Sequence, residues 1–203
     1  MSDETPPPTV PDTLVRAVLK LVPRFGDALE IVYNDTRARH AAKVAQTLAA
    51  VVEHTGVDRL NARLADDPEL EALLFEALDA ASRTGLEGKR RLLARVLAEA
   101  VLDDAKVEEG QLITQALREL DGPHIRALER IRIAADTLVD RPERERESVE
   151  AVRSAGQAEP TPVVAVLIRT GVVEPATLFG GGHAVHDITN FGRNLLAALR
   201  DEP

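Results

Sequence analysis

The stretch Thr161-Pro162-Val163-Val164-Ala165-Val166-Leu167-Ile168-Arg169-Thr170-Gly171-Val172-Val173 decides how the second half of this chain is read. Six consecutive apolar residues end in Arg-Thr-Gly, and two valines follow. Further on, Gly180-Gly181-Gly182 precedes His183-Ala184-Val185-His186-Asp187-Ile188, which alternates as a strand does. A glycine-rich turn between two β-prone runs predicts a hairpin. Thr189 then opens a helix in which Phe191, Leu195, Leu196 and Leu199 recur at three-to-four spacing, and its hydroxyl is placed to accept an otherwise unpaired backbone N–H. The expected order is helix, hairpin, helix.

The wording L-I-R-T-G-V-V, hairpin, D-I-T-N-F-G-R-N-L-L-A-A-L over 161–200 resembles the end of a winged helix-turn-helix domain of bacterial regulators. The resemblance implies that 163–168 holds the recognition position. In that reading, the helices carrying Leu112 to Leu120 and Ile125 to Leu138 precede it, and 140–160 is a charged insertion.

Composition sets the frame around this segment. The 203 residues are 44% apolar and 29% charged, enough for one sizeable domain or two small ones. Aromatic residues make up only 2%, so the core has to be Leu, Val, Ile and Ala, which favours helices. With no cysteine there is neither a disulfide framework nor a thiolate site, in keeping with a cytoplasmic address. The opening Met1-Ser2-Asp3-Glu4-Thr5-Pro6-Pro7-Pro8 has neither the basic start nor the apolar stretch of a signal peptide; residues 1–11 read as a disordered tail. No eighteen apolar residues run together. A formal net charge of -9 disfavours loose attachment to polyanions.

The chain from residue 12 to 105 reads as a helical domain. Asp12 caps a short basic amphipathic helix, with Leu14, Val15, Val18, Leu19 and Val22 on its apolar face and Pro23 at its end; a membrane-surface role is disfavoured by its shortness. Residues 27–55 contain neither Gly nor Pro and keep helical spacing, with a polar middle around His40 that protrudes, breaks or meets a partner. Asp67 and Pro68 mark a cap and a first helical position. Thr84 and Glu87 have capping-box spacing before the stripe Leu92, Leu93, Val96, Leu97, Ala100 and Val101. Lys89-Arg90-Arg91, placed where the helix dipole disfavours cations, is a candidate partner contact, the plainer reading being a solvated face. Beyond 106, Leu112, Ile113, Ala116, Leu117 and Leu120 predict one amphipathic helix, and Ile125, Leu128, Ile131, Ala135 and Leu138 another. The run Glu143-Arg144-Glu145-Arg146-Glu147 reads as a solvated helix with almost nothing to bury, and 156–162 as a linker.

Across 75–120, A-A-S-R-T-G-L-E-G-K-R-R-L-L-A-R-V-L-A-E-A and Q-A-L-R-E-L-D-G-P-H-I-R-A-L resemble uncharacterised bacterial helical proteins similar to abortive-infection alpha proteins of phage defence. That resemblance implies a regulatory setting and brings no catalytic residues with it.

The chemistry-bearing residues suggest no catalyst. His183, His186 and Asp187 are close in sequence, but residues three apart on a strand point to opposite faces, so a shared metal ion is not expected. Gly180-Gly181-Gly182 lacks the Lys and Ser/Thr of a phosphate loop, and no nucleophile-and-base motif occurs. No cofactor is expected. Residues 107–203 hold 11 arginines, no lysine and 16 carboxylates, and 161–192 contains one cation, Arg169. Base reading needs Arg, Lys, Asn or Gln on the helix that enters the groove. The expected protein is therefore mostly α, a helical bundle followed by a winged-helix-like segment with one β-hairpin. Its expected role is non-catalytic, regulatory and mediated by protein contacts, with Lys89, Arg90, Arg91 and Arg169 as possible contact residues. A homodimer paired along 27–54 and an unknown protein partner are expected, with DNA binding the disfavoured alternative.

Overall fold

The computed structural model describes residues 37–136, 145–176 and 184–200. The sequence readings for the tail 1–11, the basic segment 12–22, residues 27–36, Leu138, the start of the charged insertion at 140–144, the glycine tip 180–182 and His183 lie outside them. The described chain is mostly α with one two-stranded antiparallel sheet, as the apolar periodicities predict. It divides into two compact units, Met1–Gln111 and Leu112–Pro203.

In the first unit, α1 (Arg37–Thr55), α2 (Val57–Asp66), α3 (Pro68–Arg83) and α4 (Glu87–Leu102) are followed by a short 3-10 turn at Asp104–Lys106. The core is aliphatic: Val44, Leu48 and Val51 of α1, Leu70, Leu74, Ala77 and Leu78 of α3, and Leu92, Leu93, Val96, Leu97 and Val101 of α4 are all buried. Helix α1 packs on both α3 and α4. Its apolar face is therefore used inside its own unit over the described residues. Asp67 caps α3 as expected, its carboxylate accepting from the N–H groups of Glu69 and Leu70, both at 3.0 Å, with Pro68 in the first turn. The capping box expected at Thr84 and Glu87 does not form. Leu86 is the N-cap of α4 and offers no side-chain acceptor, while Thr84 closes α3 and its hydroxyl accepts from the Leu86 N–H at 3.1 Å. Thr84 lies two residues before the N-cap rather than at it, so Glu87 has nothing to reach back to.

Helix α5 (Val107–Glu119) contains the division between the units. Gly110, in its first turns, is buried where an added Cβ would lie 2.9 Å from a Leu73 methyl and 3.1 Å from a Val96 methyl. Leu112, expected on the apolar face of this helix, is instead 64% exposed, and Ala116, Leu117 and Leu120 carry the burial.

The second unit is built around α6 (Gly122–Asp136), which touches α7 (Glu145–Gln157), α8 (Thr161–Arg169), the second strand and α9 (Asn190–Arg200). Leu128 and Ile131 of α6 are fully buried. Strands β1 (Val173–Ala176) and β2 (Ala184–Ile188) pair antiparallel, with Val173 opposite Ile188 and a register shift after Glu174 that leaves His186 unpaired. The proline at 175, which has no N–H to give to the ladder, sits at that irregularity. The charged run read as a solvated helix opens α7 over its described residues, and the helix continues into the segment read as a linker. Val152 is buried, and Gly156, in the last turn, lets the Val185 side chain come within 3.0 Å of where its Cβ would be. The expected seven-residue linker shrinks to a turn of three residues, Ala158 to Pro160, between α7 and α8.

Candidate functional site

Helix α8 is the element to which the functional reading points, and its ends are built by backbone chemistry. Pro160 precedes it and accepts at its carbonyl from the N–H groups of Val163 and Val164. At the other end Gly171 adopts φ 71, the left-handed conformation that glycine takes without penalty. The Val172 N–H donates to the Leu167 carbonyl and the Gly171 N–H to that of Ile168, the paired bonds of a Schellman stop, with Leu167 and Val172 buried against the turn.

Thr189 locks this turn to the last helix. Its backbone N–H donates to the Val172 carbonyl at 3.1 Å and its hydroxyl donates to the Gly171 carbonyl at 2.8 Å. The same hydroxyl accepts from the Gly192 N–H at 2.9 Å, the N-cap expected for α9. Gly192 comes so close to the turn that a Cβ there would lie 2.1 Å from the Val172 oxygen.

On α8 only Val164 and Leu167 are fully buried; Val163, Ala165, Val166 and Ile168 are half-buried and so present apolar surface. Its one cation, Arg169, donates through Nε and Nη2 to Glu119 Oε2, at 2.7 and 2.5 Å. At the opposite end, Arg130 holds Glu159 at 2.5 Å. The hairpin adds Glu174 and Asp187 directly opposite each other, an unfavourable cross-strand pair that Arg193 approaches at 3.6 Å from Asp187. A ladder of charges joins α6 to α9: Arg132 donates to Glu129 at 2.9 Å and to Asp136 at 2.5 Å, while Arg193 reaches Asp136 and Arg200 reaches Glu129. The bond from Arg132 holds the Glu129 carboxyl below the usual carboxylate range, helped by the charges of Arg132 and Arg200 and opposed by partial burial.

The basic cluster on α4 divides. Lys89 is 2% exposed, so it is part of the interior and not of a solvated face; Arg90 is half-buried and Arg91 exposed, 3.6 Å from Glu87. Sequence periodicity missed this because α4 is enclosed on most sides, leaving Arg91, Arg95 and Glu99 as its exposed stripe. Lys89, Arg90 and Arg91 lie in the first unit and Arg169 in the second. Among the described residues, no group of three His, Asp or Glu side chains is arranged to hold a metal ion, and no helix is long and apolar enough to cross a membrane. His40 and His186 are exposed. No family model, curated protein or solved structure matches this chain.

Proposed function

We propose that this is a non-catalytic interaction or regulatory protein whose second unit is winged-helix-like, with α8 at the recognition position turned to protein contact. The order α5, α6, α8, hairpin, α9 supports the winged-helix reading, with α7 standing where the charged insertion was read. The observation that carries the functional part is the surface of α8: four half-exposed apolar side chains and a single arginine already engaged by Glu119. A helix that reads a groove presents Arg, Lys, Asn or Gln to base edges, and phosphate contacts need free cations beside it. Apolar surface on one helix suits a protein partner.

The partner includes a second copy of the chain, forming a homodimer at micromolar concentration with α8 supplying apolar contact. The phage-defence setting rests on the resemblance across 75–120 alone. Light scattering on the purified chain tests the dimer. A dimer mass that falls to monomer when Val166 and Ile168 are both changed to Glu, with helicity retained, supports the proposal. A monomeric mass at every concentration refutes the homodimer.

A further inference from the structure

We propose that one end of the first unit docks an acidic, apolar-flanked peptide segment of a partner protein. The end is defined by two contacts. Lys43 Nζ of α1 donates to the Ser82 carbonyl at 3.4 Å, next to the turn into α4, whereas Arg59, just beyond α1, donates to the Leu102 carbonyl at the far end of α4. Helices α1 and α4 therefore run in the same direction, and their early turns share one end of the unit with the α3–α4 turn. Arg39 lies one turn before Lys43 on the same face of α1, since residues four apart stack on a helix. Arg83 and Arg91 border the α3–α4 turn, and Arg90 sits beside it.

What marks this end is that several cations without a carboxylate are gathered in one place. Many other arginines of this acid-rich chain meet carboxylates: Arg63 meets Asp67 and Asp104, Arg130 meets Glu159, Arg153 meets Glu150, and Arg169 meets Glu119, while at this end Arg83 meets Asp79 at 2.8 Å. Arg39, Lys43 and Arg90 have no carboxylate partner among the described residues, and Arg91 has only a long contact to Glu87. Like charges gathered with few counter-charges among the described residues destabilise a fold, so the cluster is better matched by an added anion. Leu86, 36% exposed at the head of α4, adds an apolar contact within the same turn.

The partner class follows from size and charge. Proteins that hold duplex nucleic acid commonly neutralise about six to ten phosphates, more than the cations gathered here. A net charge of -9 repels a long polyanion, whereas a short acidic segment meets only the local patch. Clusters of arginine reading an acidic motif are a recurring mode of peptide recognition.

The test is fluorescence anisotropy of the full-length chain with a labelled twelve-residue peptide alternating Glu and Leu, a Lys-for-Glu counterpart, and a random-sequence DNA duplex. The acidic peptide should bind saturably at low salt, and the Arg39→Glu/Arg90→Glu variant should weaken it by about tenfold. Arg39→Gln/Arg90→Gln should give an intermediate loss, and Arg126→Glu in the second unit none. Absence of saturable peptide binding, equal binding by the charge-reversed variant, or tighter binding to the duplex would overturn the proposal. Binding that emerges only after Asp27→Asn/Glu30→Gln/Asp35→Asn would also overturn it, because the chain's own acids would then be the ligand of this surface.

Discussion

At Gly192 the backbone of α9 approaches the Val172 carbonyl so closely that even a methyl group has no room. Its neighbour in the next turn is backbone, which yields less readily than a flexible side chain, so Gly192→Ala should destabilise the chain by roughly 3 kcal/mol through overpacking. Thermal unfolding followed by circular dichroism checks this; a melting temperature unchanged within error would mean the turn and α9 are not held together as described. Asp67→Ala should cost about 1 kcal/mol, because two N–H groups lose their acceptor. The opposite sign is expected at Leu86. It is an N-cap in extended conformation without an acceptor, and Leu86→Asp supplies one and removes exposed leucine, so denaturant melts should show a gain of about 0.5–1 kcal/mol. Asp67 was readable from sequence because Asp-Pro specifies a helix start by itself. Leu86 was not: Thr84 and Glu87 have the spacing of a capping box, and only the path of the turn shows which residue enters the helix.

At the scale of elements, α9 is held to α6 by an apolar face, Leu195 and Leu196, and by the ladder through Glu129, Arg132, Asp136, Arg193 and Arg200. The Glu129 carboxyl is held below its ordinary range, chiefly by the bond from Arg132. A carboxylate with a depressed folded pKa contributes stability above its unfolded pKa and loses that contribution as pH falls through the folded value. Wild type should therefore exceed Glu129→Gln in stability at neutral pH by at most about 1 kcal/mol, as partly exposed pairs do, and the gap should close below the ordinary glutamate range near pH 4. A gap that persists at pH 3 in thermal melts would assign the effect to packing. The hairpin and α9 were legible because glycine, β-branched runs and Thr189 each carry a local signal. Helix α7 was legible at its charged beginning, but its buried face and its end were not: its contact with β2 rests on Gly156, which in sequence reads as a breaker, and only the packing of Val185 against that bare backbone explains why a glycine stands there.

For the whole molecule, the acidic balance and the aliphatic core were plain in the composition, whereas the assignment of cations was not. Sequence treats Lys89, Arg90 and Arg91 as one cluster, yet one turn of α4 sends Lys89 inward and leaves Arg90 and Arg91 at the surface. Arg169 stands alone in sequence, and its engagement by Glu119, fifty residues earlier, required the fold. Helix α8 is proposed to offer apolar surface to a protein and not cations to a nucleic acid. The most direct test is anisotropy of a labelled random-sequence duplex titrated with the full-length chain at low salt, where counterion release favours binding most. No saturable binding is expected, with Arg169→Ala indistinguishable from wild type. Tight, salt-sensitive binding that weakens in Arg169→Ala would contradict that and assign α8 to DNA.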